Sequence, residues 1–428
     1  MSGTVTNNTL RDSGGIALSA AGLNWVSTVV TGSTVTVESG NGYWINTTSN
    51  TCTITLPSSA EKGDQIVFID YARTWGTNKI IIDSNGLKYQ GQLDVFTVEY
   101  NTNGQAVNIV YSDATKGWIP LDDDATALEP VAPATQRGIF AFGGNSSGTC
   151  TANLVNSSGA IAADNTIAGT PKNNIGASTY GGDKAIFAFG ENQSGGVKVN
   201  VRSLVSNSGV VASEASGAGT ARMLVSASTF GTSGQAIFAY GATAGDNAVS
   251  MSNLVNNSGV IASDVSGVGT GRRALAAARY GVGLAIFGYG IPGSGGTSLT
   301  NKVNNVGVVA SDTTGVGTAR SSLAATAFGG DKAIFGYGES PSATVSVTNK
   351  VSNTGVVASD VSGVGTARYA LAATDFGGDK GVFFGGTPNV VSISNLVSNT
   401  GVVASNTSGA GGVTGKHLAA GAGYSFSA

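Results

Sequence analysis

Between residues 137 and 428 one order of signals recurs six times: a basic residue, a run of small residues, a glycine turn and an aromatic strand. The segments GTGRRALAAARYGVGLAIFGYG from 269, GTARSSLAATAFGGDKAIFGYG from 317 and GTARYALAATDFGGDKGVFFGG from 365 display it most plainly. The first aromatic falls at Phe140, Phe187, Phe238, Phe287, Phe335 and Phe383, in steps of 47, 51, 49, 48 and 48 residues. A second signature follows each, from LVNSSGAIAA at 154 to LVSNTGVVAS at 396. Repetition at this period restricts the fold more than local propensity does, because each unit must bury its apolar face against another copy of itself.

Each repeat predicts four short antiparallel strands. The A strand is small and aliphatic (LAAT), the B strand aromatic (KAIFGYG), and the C and D strands flank the Asn-Ser-Gly or Asn-Thr-Gly turn, where glycine and asparagine tolerate positive φ. Phe335 and Tyr337 stand two apart, so they are expected on one face of the B strand, between neighbouring sheets. The alanines of the A strand fit sheets that converge on an axis, where only small side chains have room. Four strands per repeat predict a propeller blade rather than a helical solenoid. The region opens at Arg137 with a B strand and closes with HLAAGAGYSFSA, an A strand, so the two ends are expected to complete one blade and remove its exposed edge. The expected fold is all-β: a small amino-terminal β domain, then a six-bladed β-propeller closed by its first and last strands.

The order of elements in 137–428 resembles the kelch repeat. The glycine doublet ending the B strand survives as Gly143-Gly144 and Gly385-Gly386 and is Gly-Tyr-Gly or similar elsewhere. The outer tyrosine and tryptophan of kelch blades have no counterpart, since Trp25, Trp44, Trp75 and Trp118 all precede the repeats. The unit is therefore kelch-like.

Residues 40–120 read as alternating strands broken by Asn-Gly and Lys-Gly turns, a small all-β domain. Their motifs in order are a GYW-N-T opening, a T-LP turn, KGD before an apolar strand, an NG followed by QG, and a terminal VYSDATKGW. This series resembles a domain of tail-fibre and related appendage proteins of tailed bacteriophages. Residues 1–39 carry no placed motif and are a candidate virion-attachment segment; residues 121–136, acidic and then rich in Pro and Ala, are expected to be a linker.

Composition narrows the chemistry. The chain has 428 residues, 65 of them glycine, with 11% charged residues and a net charge of −3, so no bulk attraction to nucleic acid or anionic lipid is expected. No apolar run reaches 18 residues and the amino terminus lacks a signal-peptide pattern, which predicts a soluble, unprocessed protein without membrane insertion. Cys52 and Cys150 lie in different domains and are expected to be buried free thiols.

The basic residues preceding the A strands are Lys172, Arg222, Arg272, Arg320, Arg368 and Lys416. Eight residues before the first five stand Asp164, Glu214, Asp264, Asp312 and Asp360; Asn406 takes this place in the last unit. Two readings stay open: each acid and base tie down one inter-blade loop, or the bases form a ring for an anionic sugar or phosphate. Enzymatic readings are disfavoured. The one histidine, His417, supplies neither a copper site nor a Ser-His-Asp triad. The Ser-Asp-Val-Ser-Gly-Val-Gly-Thr string lacks the tryptophan of sialidase turns, although two carboxylates would suffice for a polysaccharide depolymerase. GVGTAR leads into no helix and is not a phosphate loop. Asp122-Asp123-Asp124 reads as solvated linker before it reads as a Ca²⁺ site, so no metal and no cofactor is expected.

The resemblance and the repeats together imply a virion protein, not an enzyme, with other virion proteins and a host-surface glycan or receptor as partners, and a homo-oligomer, a trimer, formed through the amino-terminal region. The alternative is a purely structural or decorative virion role. The B–C loops differ in every unit while the A–B and C–D turns nearly repeat, which points to Lys198, Asn200 and Asn247, with the basic ring, as the host-facing surface.

Overall fold

In the computed structural model the described residues are 4–6, 9–11, 17–19, 23–92, 94, 98–121, 135–144, 150–409 and 411–427. The chain is all-β and divides into two compact units, Met1–Ala132 and Pro133–Ala428.

In the first unit, Thr4–Thr6, Thr9–Arg11 and Ala17–Ser19 form an antiparallel meander. Beyond it the strands run parallel, which the alternating pattern did not reveal. Asn24–Trp25, Asn41–Ile45 and Gln65–Asp70 lie side by side in one sheet, and Thr34–Thr36, Cys52–Thr55 and Ile80–Asp83 in another. The chain thus winds three times between two sheets before Val98–Tyr100, Ala106–Tyr111 and Trp118–Pro120 finish them antiparallel. Residues 24–36 supply the first of these turns, so this domain begins before residue 40. Its core packs Ile54, Ile66, Phe68, Ile80, Ile109 and Trp118. Asp70 is buried and orders the neighbouring loops, accepting the N–H groups of Thr74 at 3.0 Å, Trp75 at 3.2 Å and Gly104 at 2.8 Å.

The second unit contains six sheets of three or four strands, one per repeat and here numbered I to VI, and a two-stranded pair of Lys172–Asn173 with Glu191–Asn192. Sheet I joins the two ends of the repeat region. Its A strand, Ala420–Tyr424, pairs antiparallel with Arg137–Ala141, which pairs with Thr151–Val155. Sheets II to VI follow in chain order with A strands Gly176–Tyr180, Ser226–Phe230, Ala276–Tyr280, Ala324–Phe328 and Ala372–Phe376. Each A strand neighbours the next, and that of sheet I neighbours those of both VI and II, so the neighbour relation is cyclic.

Three sets of interactions repeat around this cycle. The first is a belt of backbone hydrogen bonds at the beginnings of the A strands. Asn174, Leu224, Ala274, Ser322, Ala370 and Leu418 all adopt left-handed φ between 52° and 55°. Each donates its N–H to the carbonyl of the previous member, at 2.7 to 3.3 Å, and Asn174 donates to Leu418. A second belt links the A–B turns: Gly181 to Gly234, Gly231 to Gly283, Gly281 to Asp331, Gly329 to Asp379, Gly377 to Gln136, and Ser425 to Asp183. The third set is aromatic. Phe142–Phe187, Phe189–Phe238, Tyr240–Phe287, Tyr289–Phe335, Tyr337–Phe383 and Phe384–Phe140 pack at ring-centroid distances of 4.9 to 5.6 Å, one pair at each boundary.

The aromatic pairs correct the expectation for Phe335 and Tyr337. Phe335 packs toward sheet IV and Tyr337 toward sheet VI, on opposite faces. Tyr337 has φ of 63°, and this left-handed residue just past the strand reverses the alternation. In sheet VI the equivalent of Tyr337 is Gly385, and Phe384, one residue earlier, packs on Phe140 instead.

The fourth strand of each repeat is also reduced. In sheet II the C strand meets the D segment only at Val205↔Val211 and Arg202↔Ala215, three residues apart on C and four on D. The same three-to-four mismatch recurs in every repeat, a bulge that interrupts the ladder. Among the described residues only sheet I retains a fourth strand, Asn165–Thr166. At the C–D turn, glycine alone takes positive φ, as Gly355 does at 74°. A Cβ there would also lie 2.6 Å from the ring of Tyr280 in the preceding sheet. The preceding Asn or Ser acts through its side chain: Asn156 Oδ1 accepts the N–H groups of Ser158 and Ala160.

Both cysteines are buried and free, and burial pushes the Cys52 thiol up to about 11 and raises that of Cys150 as well.

Candidate functional site

All six basic residues that precede the A strands are buried: Arg222, Arg272 and Arg320 are 0% exposed, and Lys172, Arg368 and Lys416 are 1% exposed. They do not form an accessible ring for an anion, and that expectation is corrected here. Each is a clasp at a sheet boundary. Arg222 stacks on Phe189 of the previous sheet at 4.2 Å, donates Nε–H to the Tyr240 carbonyl at 2.9 Å and Nη2–H to Asn253 Oδ1 at 2.6 Å. Lys172, Arg272, Arg320 and Arg368 stack likewise on Phe142, Tyr240, Tyr289 and Tyr337. Lys416 has no such ring, because Gly385 stands at that position.

The acids belong to these clasps, but not in the pairing expected. For five of the six bases the acid alongside is the one in the following loop, not one eight residues earlier. Arg222 faces Asp264 at 3.7 Å, Lys172 contacts Glu214, and Lys416 faces Asp164 at 3.8 Å, which joins the last repeat to the first. Each carboxylate also holds the Thr two residues before the base. Asp264 accepts from Thr220 N–H at 3.0 Å and Oγ1–H at 2.6 Å, and Asp360 does the same with Thr318. Consecutive inter-sheet loops are thereby stapled together. An Asn on the C strand completes the clasp, as Asn253 donates to Ala262 O at 3.0 Å and Asp264 at 2.9 Å, inside the bulge. Asn406 replaces the acid beside Arg368, whose Nη2 is buried without a partner.

Partial burial by itself raises these carboxyls. Hydrogen bonds from Thr and Asn, with the charge of the base, outweigh it and hold Asp164, Asp264, Asp312 and Asp360 below the ordinary value. A carboxyl with a lower folded pKa contributes stability that is complete above its unfolded value, about 4, and is lost as pH falls through the folded one. Stability to urea is expected to fall steeply below about pH 4, and the triple change Asp264→Asn, Asp312→Asn, Asp360→Asn to flatten that slope; an unchanged slope would remove these groups from the acid transition.

The variable loops lie at the end of the sheets where the A strands begin. The ion pair Lys198–Asp246, at 3.2 Å, connects the B–C loops of sheets II and III, and Arg273 donates to the Asp246 carbonyl. Asn247 is exposed, with Nδ2 bonded to Ala244 O at 3.1 Å. Asn200 is tied to Gly219 O at 2.8 Å and serves the loop framework. Part of the first B–C loop, residues 145–149, and Asp122-Asp123-Asp124 lie outside the described residues.

Sequence reasoning missed the residues nearest the belt at this end. The position after each base is Asn173, Met223, Arg273, Ser321, Tyr369 and His417, six different side chains on a repeated backbone. Each pairs with the B–C loop of its own sheet, as Tyr369 does with Thr387 and His417 with Gly144. Alignment of the repeats exposes this variability. Among the described residues no group of three or more His, Cys, Asp or Glu is placed to hold a metal ion, and no helix is long and apolar enough to cross a membrane. No known protein family matches the sequence, and a search of curated proteins finds none similar to it.

Proposed function

We propose that residues 137–428 are a six-bladed kelch-like β-propeller that attaches a virion appendage of a tailed bacteriophage to a host-surface glycan or receptor. The cyclic order of the sheets, the two hydrogen-bonded belts and the six aromatic pairs support the propeller. The reading of a phage appendage rests on the motif series of residues 40–120. On this reading the first unit joins other virion proteins and forms the trimer.

One observation carries the adhesive role. The repeated scaffold gathers its variable side chains at the belt end, while the chain enters this unit at the opposite end, where Gln136 N–H bonds Ser425 O at 2.8 Å beside the A–B turns. Diversity confined to one end of a repeated framework is what a binding surface requires. Among the described residues His417 has no carboxylate partner, which disfavours a Ser-His-Asp triad.

The test uses the fluorescently labelled full chain against a panel of bacterial strains. Binding to a strain is expected, and replacing the B–C loops of sheets II and III by that of sheet VI should reduce it at least tenfold with melting unchanged. No binding to any strain, or binding indifferent to the replacement, would overturn the adhesive role.

A further inference from the structure

In the first unit, the five-stranded sheet is apolar on both of its faces. Along Gln65–Asp70, Ile66 and Phe68 pack in the core, while Val67 and Ile69, of the opposite parity, lie on the other side. A continuous apolar run of this kind is the pattern of a strand covered on both faces. The neighbouring strands extend it. Register sets Val67 beside Gly42 and Asn108, Ile69 beside Trp44 and Ala106, and Val110 beside Gln65 and Ile119. At the sheet edge Trp25 pairs with Gly42, where a Cβ would come within 2.7 Å of its ring, and the rings of Trp25 and Trp44 are 4.7 Å apart.

The other sheet of this unit is an internal control. Its strands turn Thr36, Thr53, Thr55, Asp83 and Glu99 outward, with Ile81 as the apolar exception. Among the described residues of the first unit, the exposed large apolar side chains are Trp25 at 41%, Tyr71 at 56% and Leu121 at 55%, and all three belong to the five-stranded sheet or its strand ends. Tyr71 N–H bonds the Ile45 carbonyl at 3.0 Å and Leu121 N–H bonds that of Asn108 at 2.8 Å. Both residues thus prolong the pairing, in step with Ile69 and Ile119. A contiguous apolar patch with Trp and Tyr in it marks an interface. Charge identifies the occupant. The outward positions of these strands carry no Asp, Glu, Lys or Arg, so the face has nothing to offer a partner recognised by charge. It meets a second copy of itself with no like charges opposed.

We infer that copies of the chain associate through the outer face of this five-stranded sheet, burying Trp25, Tyr71 and Leu121 between them. This rests on the trimer reading above and names the surface that forms it. Aromatic side chains at the centre of such a contact carry most of its energy.

The experiment is sedimentation equilibrium of the full chain, with a trimer expected for the wild type. Tyr71→Lys and, separately, Leu121→Lys should each weaken association at least tenfold with far-UV circular dichroism unchanged, because both positions are more than half exposed within one copy. Thr53→Lys, on the other sheet, should leave association as it is. Iodide quenching of the wild type needs no variant: Trp75 and Trp118 are 0% exposed, so dilution to the monomer should raise quenching through Trp25 and Trp44. Quenching indifferent to dissociation overturns the inference. A trimer indifferent to Tyr71→Lys and Leu121→Lys, or equally sensitive to Thr53→Lys, overturns it and leaves the trimer reading. A dimer lost in those two variants and kept in Thr53→Lys supports the surface and removes the trimer. A wild type that stays monomeric overturns both.

Discussion

Removal of residues 417–428 is expected to abolish cooperative folding of the six-sheet unit. The lost strand Ala420–Tyr424 supplies the five-residue ladder to Arg137–Ala141 and buries Ala420, Ala422 and Tyr424. Leu418 leaves the first belt and Ser425 the second, so both cycles open at once. Loss of a buried aromatic alone costs about 3–5 kcal/mol, and a domain has only about 5–15 kcal/mol in total. Arg137–Ala141 is then left as an edge strand rich in apolar residues, an invitation to association. Near-UV circular dichroism should disappear and light scattering should rise. A truncated chain that stays monodisperse and melts at the temperature of the intact one would refute the cyclic arrangement.

Arg320→Ala should cost about 3–5 kcal/mol, because it leaves two buried acceptors unpaired at about 1–3 kcal/mol each and removes a packed side chain. The guanidinium bonds Tyr337 O at 2.8 Å, Thr318 O at 3.1 Å and Asn349 Oδ1 at 2.8 Å, and lies 4.2 Å from the Tyr289 ring centre. Its loss leaves the buried Tyr337 O and Asn349 Oδ1, and the exposed Asp360, without their cation. Arg368→Ala should cost distinctly less, because Arg368 faces Asn406 rather than an acid and its Nη2 already lacks a partner. Urea unfolding of the two variants gives the comparison, and a double-mutant cycle of Arg320→Ala with Asp360→Asn gives the coupling. Equal losses at the two positions, or a loss below about 1 kcal/mol at Arg320, would show that the clasp is not what holds the loops.

Much of the second unit is legible in the chain alone. Six aromatic strands at a period near 48 residues, small residues before them and a final A strand with no B strand after it are local facts, and the structure has six sheets with that last strand in sheet I. The burial of both cysteines also follows from their apolar settings. In the candidate site, Lys198 was legible because the B–C loops visibly diverge. Arg273, Tyr369 and His417 were hidden beside the more regular bases that precede them.

Tertiary structure decided the rest, and the reason is the repetition itself. When the same acid and base occur in successive copies, spacing along the chain cannot tell a partner eight residues away from one in the following loop; only the stacking of sheets brings Asp264, not Glu214, to Arg222. The left-handed turn at Tyr337 sends its ring across a boundary that a period of two would have denied it. Parallel and antiparallel strands share one alternation, so the winding of residues 24–83 had no signature in the pattern. Periodicity determines which residues lie in strands and which ends must meet, because those follow from local geometry; the partners across each boundary depend on the phase of one copy against the next, which exists only once the sheets are packed.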